Sequence, residues 1–471
     1  MHLTRRQLLA GGAGALGAAG IYGLVDRFAR APSRAPVAAA LPPEQHVLEG
    51  LSVVVDNDVE VVVPPLHSEV VTGILEVDPA AHALWDARQA LEDVLAQLER
   101  GFEPGPAGLS LLVAWGLPYF NRYVPGPAED FLPVDVRASK AAGTQVRALL
   151  DAIRFPSDPD DLLLESNEVA FLLRSDRLDV VAEASRALLR ELDGIVRPTS
   201  IRRGFIGGGF GGARSLPKRM ALAAGLEGAE LIPETAELFL GFTSTQKAAL
   251  GPPRIANHET LPGYTDQWPD GYFREGTAMH LSHIFEDLAG WYLNADFSER
   301  LTTMFSPDRR APDGTTTIPQ GRGGVATPRD LARDVAHHGR FGHSTSIQPT
   351  SRLQADVVGR DGTRYAGGTA IPQRADFNTL DNPFTWSSRP ERDRQSSAPA
   401  AGVHFVVFNP TSDDFHRNRL AMDGVLPDGT VLAADVASRG QGFNSFLSAT
   451  HRQNFLVPPR RHRSFPLAEF L

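Results

Sequence analysis

The sequence predicts an α+β protein with antiparallel sheets, arranged as two similar halves. Short runs of β-branched or apolar residues alternate with longer segments whose apolar residues recur at helical spacing. The first half follows the order strand, helix, strand, long connection, strand, helix, and a related order returns in the second half. That order is typical of an α+β sandwich with antiparallel sheets.

The first half contains the best-defined elements. Val53 to Val55 and Val59 to Val63 are β-branched runs suited to strands. From Ala80 to Arg100 the apolar residues fall on one helical face, and Gly101 supplies the stop signal. Leu109 to Trp115 is an apolar run, which predicts the strand that follows this helix.

A further strand–helix unit completes the first half, and the pattern then recurs. Strands are predicted at Glu168 to Leu173, Thr277 to Phe285 and Val403 to Phe408, and helices at Leu178 to Leu192 and from Glu286 to Leu293. We place the break between the halves near residues 206–230. This gives a leader and linker at residues 1–40, a first half at 41–206 and a second half at 207–471.

Composition excludes several classes of function. The net charge of −10 argues against a nucleic-acid-binding protein, because such proteins need a basic surface to displace counterions. The chain has no cysteine, which excludes disulfides, thiolate zinc sites, iron–sulfur clusters and a cysteine nucleophile. No G-x-S-x-G motif is present, so a serine hydrolase is disfavoured. Histidine, carboxylate, arginine or a cofactor must carry any chemistry.

The N-terminus has the pattern of an export signal. Thr4 to Leu9 contains paired arginines, and a weakly apolar run from Ala10 to Val25 follows, as in twin-arginine leaders. Ala35 to Ala40 offers a small-residue cleavage site. A membrane anchor is the alternative, but the apolar run is short and interrupted by Asp26 and Arg27. We predict export by the twin-arginine pathway to the periplasm, cell envelope or exterior, with no membrane span left after leader removal.

Several short segments carry a family resemblance through their shared order. They are Leu112 to Phe120, Phe131 to Pro133, Asp161 to Leu164, Arg203 to Phe205, Gly276 to Ile284, Phe341 to Pro349, Val403 to Asn409 and Phe455 to Pro459. Taken together, over most of residues 66–460, they resemble the dye-decolorising (DyP-type) peroxidase family. The resemblance implies two ferredoxin-like halves with antiparallel sheets, of the dimeric α/β-barrel type, with haem b bound between them. It also implies hydrogen peroxide as oxidant and an unidentified reductant, and it leaves a homo-oligomer open.

A haem peroxidase needs a neutral imidazole on the iron, a base that moves the peroxide proton, and a cation that stabilises developing charge. The resemblance assigns the iron ligand to His343, within Phe341 to Pro349. His338 and His337, just upstream, are the runners-up. The alternative is an ordinary histidine on a surface loop.

The distal acid of the family departs from its pattern here. The family's Gly-x-x-Asp-Gly motif corresponds to Gly241 to Thr245, where Ser244 stands in the position of the aspartate. A hydroxyl is not a base near neutral pH, so a water chain or a carboxylate such as Asp376 or Glu275 would have to substitute. By the resemblance, Ser244 lies at the catalytic centre and Phe242 contacts the cofactor. The departure also leaves open a non-catalytic member that kept the fold, with or without haem.

The distal arginine is expected within Ile371 to Arg374. Either Gln373 has replaced it, or a one-residue adjustment retains it as Arg374. In the second case Arg374 serves both the cofactor and catalysis. A solvated arginine on a strand edge is the alternative.

Other motifs receive simpler interpretations. His280, His283 and Glu286 would share a face only if their segment were a helix, and a strand is favoured, so a dedicated metal site is not expected. Gly207 to Gly212 fits a dinucleotide-binding expression but is better explained as a flexible connection. Arg460 to Arg463 is predicted to be a solvated tail, with contact to haem propionates as the alternative.

Overall fold

The computed structural model describes residues 18–29, 34, 37, 41–56, 59–208, 213–242, 255–307, 325–432 and 442–471. Elements of the first part of the chain are α1 (Ala18–Phe28), β1 (Ser52–Asp56), β2 (Val59–Val63), β3 (His67–Leu75), α2 (Ala81–Gly101), β4 (Ser110–Gly116), α3 (Leu117–Tyr123), α4 (Pro125–Phe131), α5 (Val136–Ala142), β5 (Leu163–Leu164), β6 (Val169–Ser175), α6 (Leu178–Glu191) and β7 (Val196–Phe205).

The second part of the chain continues the series. Its elements are α7 (Leu216–Ala223), β8 (Thr277–Glu286), α8 (Leu288–Leu293), α9 (Phe297–Met304), α10 (Pro328–His338), α11 (His343–Ser351), β9 (Val357–Val358), β10 (Arg364–Tyr365), β11 (Gln373–Arg374), β12 (Phe377–Thr379), β13 (Trp386–Ser387), β14 (Gly402–Asn409), α12 (Ser412–Met422) and β15 (Leu447–Val457).

The first half is a ferredoxin-like unit. Strands pair antiparallel in the order β7–β3–β6–β4, with α2 and α6 as the crossover helices. Helix α2 turns the apolar stripe predicted from its sequence toward the core: its buried residues are Leu84, Ala87, Leu91, Val94, Leu95 and Leu98. Burial of this stripe in the largest apolar cluster explains why the segment is helical and where it lies.

The second half repeats the same topology, and the two sheets join. Its strands pair in the order β12–β14–β8–β15. Strand β15 continues onto β4 through Phe455↔Gly116, and β12 meets β7 through Asn378↔Phe205. The strands therefore form a closed ring. Two ferredoxin-like halves with antiparallel sheets, predicted from the sequence, are confirmed by this strand order.

Two local predictions are corrected. The strand predicted to end at Phe285 runs through Glu286, and helix α8 begins only at Leu288, where Asp287 caps it by accepting a hydrogen bond from Gly290 N. The basic run at the C-terminus is not a solvated tail, although Arg461 within it is exposed. Arg463 has a side chain only 4% exposed and pairs with acidic residues on α2, which are Glu92 and Glu99.

The N-terminal segment is only partly described. The paired arginines and most of the predicted cleavage site lie outside the described residues. Helix α1 packs where β7 and β12 meet, because the Tyr22 hydroxyl lies 3.3 Å from Arg203 O and 3.1 Å from Thr379 Oγ1. Arg34, in the segment predicted to be a linker, forms a buried ion pair with Asp176. Among the residues placed by the structure, no helix combines the length and apolarity needed to cross a bilayer.

The barrel interior holds an unusual group of buried basic side chains. His283, His404, His451 and Arg202 are each at most 1% exposed. Thr450 Oγ1 lies 2.8 Å from Nδ1 of His283 and 2.9 Å from Nδ1 of His451. Neither ring nitrogen of His404 has a partner among the described residues. Burial, followed by the neighbouring histidines and Arg202, lowers the pKa of His283 and His404 well below the ordinary value, so both rings are neutral in the fold.

We expect this cluster to make the barrel acid-labile. Below pH ~6.5 the unfolded chain protonates His283 and His404 while the folded chain does not, so stability falls by about 1.4 kcal/mol per pH unit for each histidine. His404→Leu should therefore flatten the fall of the urea midpoint between pH ~6.5 and ~5. His338→Leu, at an exposed position, is the control and should keep the wild-type slope. A wild-type slope in His404→Leu would contradict the account.

Candidate active site

A cavity of about 290 Å³ lies on the outer face of the second-half sheet, beneath helices α11 and α12. Side chains alternate along β8, so Ser282, Ile284 and Glu286 line the cavity while Leu281 and His283 point into the barrel. Its apolar walls consist of Leu238, Leu240, Phe242, Met304, Phe305, Ile347, Val403, Phe405, Val407 and Leu447. Such a volume lies near the lower end of the range of about 300–1,000 Å³ for small-molecule sites.

His343 is held at the cavity by the close approach of its backbone to a second segment. It is the first residue of α11 and follows Gly342, where a Cβ would lie 2.2 Å from the carbonyl oxygen of Phe305. Only glycine permits that approach. Thr345 N donates to the same carbonyl at 3.2 Å, and the imidazole packs on Phe443 with ring centroids 4.5 Å apart. The backbone thus fixes where the imidazole lies.

The imidazole of His343 is neutral. Burial, with smaller contributions from Arg374 and Arg419, lowers its pKa to about 3. Its Nδ1 is buried without a hydrogen-bond partner among the described residues, and the side chain lines the cavity. A neutral imidazole with one accessible nitrogen is the form that binds a metal ion. Metal-bound histidines usually donate from the other nitrogen, and that second contact is not found in the described part of the chain.

The pairing of β11 with β14 separates the two candidates for the distal arginine. Arg374 pairs with Val407, which faces the cavity, whereas Gln373 pairs with Phe408, which lies in the barrel core. Gln373 Nε2 donates to the backbone oxygen of His46 at 3.3 Å. Arg374 therefore lies at the cavity, and no ion pair with a carboxylate is found for it within the described residues.

A buried ion pair forms part of the cavity wall. Arg452 donates to both carboxylate oxygens of Asp158, at 2.5 and 2.9 Å, and each side chain is 2% exposed. Arg419 lies 3.4 Å from the same carboxylate. Burial alone would raise the pKa of Asp158, but the hydrogen bonds and charges of the two arginines lower it overall. Asp158 thus stays charged, and its ion pairs connect the first half to α12 and β15.

Two further carboxyl groups line the cavity. Asp376, one of the two predicted substitutes for the missing acid, lines the cavity and is 7% exposed. The other, Glu275, lies away from the cavity in ion pairs with Arg274 and Arg461. Glu286 also lines the cavity and was not predicted as an acid. Burial and the charge of Asp376 raise the pKa of Glu286 to about 8, and its Oε2 is buried without a partner among the described residues.

The two histidines of β8 point to opposite faces, as predicted for a strand. His280 lies between sheet and α12, where Nδ1 is 2.7 Å from Asn454 Oδ1 and Nε2 is 2.5 Å from Ser282 Oγ. Ser282 lines the cavity, so His280 reaches it through that hydroxyl. His283 faces His404 inside the barrel. Across the described ranges, no three histidine or acidic side chains group as ligands of a metal ion.

Of the remaining predicted site residues, one lines the cavity, one lies outside the described residues, and two lie away from the cavity. Phe242 lines the cavity and is 4% exposed. Ser244 lies outside the described residues, so its predicted role stays a prediction. The runners-up His337 and His338 lie at the exposed end of α10 and do not line the cavity.

Comparisons with known proteins give a family and a set of similar folds. The model of a family of unknown function, DUF7405, matches residues 65–459. No curated protein matches the chain. Among solved structures, the chain is similar to a DyP-type peroxidase from Cellulomonas bogoriensis (16% identity, 89% of this chain and 96% of that chain, TM-score 0.49). It is also similar to the encapsulated DyP-type peroxidase from Mycobacterium smegmatis (14% identity, 85% and 95%, TM-score 0.47).

A third similar structure is the haem complex of a variant of DypB from Rhodococcus jostii (15% identity, 85% of this chain and 95% of that chain, TM-score 0.46). The resemblance predicted from the order of the motifs is thus also found among solved structures. At these identities it concerns the fold alone. The assignment of two ferredoxin-like halves rests on this chain's own strand order.

We expect Asp158 to be essential for stability. Asp158→Ala leaves the buried guanidinium of Arg452 without its carboxylate partner, while Arg419 keeps its ion pair with Asp423, and should cost about 3–5 kcal/mol of unfolding free energy. The control is Asp161→Ala, which removes an ion pair with Arg394 whose side chains are 64% and 43% exposed. That change should cost about 1 kcal/mol or less. Urea unfolding followed by circular dichroism measures both, and equal losses in the two variants would refute the assignment.

Proposed function

This chain belongs to DUF7405, a family of unknown function, and we propose that it is a haem-binding, peroxidase-like oxidoreductase. The observation that carries the proposal is His343. Its imidazole is neutral, and the side chain lines an apolar cavity that four arginines also line. The arginines are Arg352, Arg374, Arg419 and Arg452. The oxidant we propose is hydrogen peroxide, and the reductant is an unidentified electron donor.

The residues present fit haem b. A neutral imidazole suits the iron, and its Nδ1 is buried within the protein. Aromatic and aliphatic walls, among them Phe242 and Phe405, suit a porphyrin face. Arg352 at the cavity suits a carboxylate of the propionates. When bound, haem supplies the electrons that cleave the peroxide O–O bond.

The protein's own contribution is electrostatic and steric. Burial keeps His343 unprotonated at working pH, so no proton competes with the iron for Nε2. Arg374 brings a permanent positive charge to the cavity, where it stabilises negative charge on peroxide oxygen as the bond stretches. The apolar walls limit water around that charge, which strengthens the interaction. Arg452 is paired with Asp158, and Arg419 with Asp423 and Asp158, so these two arginines mainly stabilise the cavity wall.

A second candidate function is that of a non-catalytic haem carrier. Two observations favour it: Ser244 stands in the position of the distal acid, and Nδ1 of His343 lacks a described partner. Both functions require haem, and they differ in turnover with peroxide. Export through the twin-arginine pathway, which carries folded proteins, is compatible with either and remains part of the proposal.

We expect the protein, refolded or expressed with haem, to show a Soret band that depends on His343. His343→Ala should abolish or strongly shift the band, because the ligand is lost. His338→Ala, at the exposed end of α10, is the matched control and should leave the band unchanged. Absorption spectroscopy of the purified variants measures this, with circular dichroism to verify folding. A wild-type protein without a Soret band, or a full band in His343→Ala, would overturn the haem assignment.

We expect a variant at Arg374 to distinguish a peroxidase from a non-catalytic haem carrier. Arg374→Leu removes the cation at the cavity and should lower peroxide-dependent dye oxidation by about 10²–10³-fold while a Soret band remains. Arg394→Leu, at an exposed ion pair, is the control and should keep wild-type turnover. Wild-type protein with bound haem but no dye oxidation would favour the carrier.

A further inference from the structure

We propose that Glu286 is the proton-transfer group of this cavity, taking the part that Ser244 does not fill. The proposal rests on the proposed function, since it names the acid–base residue of the same site. It depends on the position of Glu286 in the fold, on the protein atoms around it, and on the state of the other carboxyl groups that line the cavity.

The position of Glu286 follows from the register of β8. Glu286 is the last residue of the strand, pairs with Leu447 on β15, and lies on the same face as Ser282 and Ile284. Its backbone N donates to Ala401 O at 3.1 Å, which fixes the strand end against the segment before β14. The side chain is therefore directed into the cavity by regular sheet geometry.

Helix α8, which follows Glu286, donates two hydrogen bonds to the segment that leads to residue 244. Trp291 Nε1 donates to Leu240 O at 2.9 Å, and Tyr292 Oη donates to Phe239 O at 2.6 Å. At Gly241, where φ is +85°, a Cβ would lie 3.0 Å from Tyr292 Oη. The 239–242 segment is thus held against α8, the helix that follows β8. Glu286 presents a carboxyl on the wall to which this segment belongs.

The electrostatic surroundings of Glu286 suit proton transfer. Burial and the charge of Asp376 raise its pKa to about 8, so the group exchanges protons near neutral pH, where a solvated carboxylate would stay ionised. The charged and titratable side chains of the surrounding elements are Tyr292 on α8, His343 on α11, Arg352 after it, Arg374 on β11, Asp376 before β12, Arg419 on α12, Arg452 on β15 and Asp158 of the first half.

Glu286 differs from the other acids at the cavity. Asp158 is committed to two arginines, so its proton affinity is low. Asp376 takes part in interactions of its own within the fold. Glu286 has an oxygen, Oε2, that is buried without a partner among the described residues. A buried acceptor left unpaired is costly, and a proton, water or peroxide at that oxygen removes the cost.

The step assigned to Glu286 is a proton shuttle. The carboxylate accepts a proton from one oxygen of hydrogen peroxide and returns it to the other oxygen, which leaves as water when the O–O bond breaks. Glu286 ends in its starting state. The reductant supplies two electrons in all, one at a time, together with two protons. The sum is one peroxide, two electrons and two protons giving two waters.

The first experiment needs no cofactor. Infrared spectra of the haem-free protein, recorded across a pH titration, report the C=O stretch of a protonated buried carboxyl. We expect a band that disappears with a midpoint near pH 8, is absent in Glu286→Gln, and moves to lower pH in Asp376→Asn, where the like charge is removed. Glu275→Gln, outside the cavity, should keep the wild-type titration. A band with a midpoint near pH 8 that persists in Glu286→Gln would overturn the assignment.

The second experiment tests catalysis in the haem-loaded protein. Glu286→Gln should keep the Soret band and lower peroxide-dependent turnover by about 10²–10⁴-fold. Wild-type turnover should rise as the pH rises through about 8, because the proton-accepting carboxylate forms there, and Glu286→Gln should lose that rise. Glu275→Gln should match the wild type in both respects.

The two proposals fail in different ways. If the wild type binds haem and Glu286→Gln turns over at the wild-type rate, the role of Glu286 is refuted while haem binding stands. If the wild type binds no haem, the proposed function fails and the catalytic role fails with it, although the infrared titration still reports the raised pKa. Because glutamine has the shape of glutamate and no charge, Glu286→Gln should fold, and circular dichroism verifies this.

Discussion

The closed ring of strands is the constraint on which the rest of the structure depends. Along each strand of the second half, one set of side chains fills the barrel and the other faces the cavity, so a slip of one residue would exchange the two sets. Such a slip in β8 would bring His283 to the cavity and bury Glu286 in the barrel. A bulge in β15, between Ala449 and His451, shifts the alternation and places Arg452 on the cavity side, where it meets Asp158.

Desolvation then decides the charge state of each group at the cavity. It keeps the imidazole of His343 neutral and favours the neutral form of Glu286, although one is a base and the other an acid. Asp158 keeps its charge because two guanidinium groups surround it. The same rule applies inside the barrel, where His283 and His404 are neutral beside a buried arginine. Among these groups, a carboxylate keeps its charge on burial where an opposite charge is in contact.

Much of the fold could be predicted from the sequence, because local periodicity specifies it. Apolar spacing predicts which residues of α2 are buried, where the neighbouring strands lie, and how the order of elements repeats.

The candidate site was less predictable than the fold. The position of His343 was predicted from the order of motifs rather than from its own neighbours. Whether Arg374 or Gln373 faces the cavity depends on pairing register, which spacing alone leaves open. Arg463 was misplaced because its acidic partners lie far away in sequence, on α2. Glu286 was missed because its segment was predicted to start a helix.

The case of Glu286 shows what a motif can and cannot say about a site. A motif records which segment usually supplies a group, whereas chemistry requires only that the group reach the right wall of the cavity. At residue 244 the sequence has a serine, and by motif alone the acid is simply missing. The 239–242 segment is, however, hydrogen-bonded to α8, the helix that follows the end of β8, and it lines the cavity together with Glu286. A carboxyl at that strand end therefore enters the same cavity from a different part of the sequence. The relevant question for such a site is whether a buried carboxyl lacks a compensating charge, and among the cavity carboxyls Glu286 meets that condition.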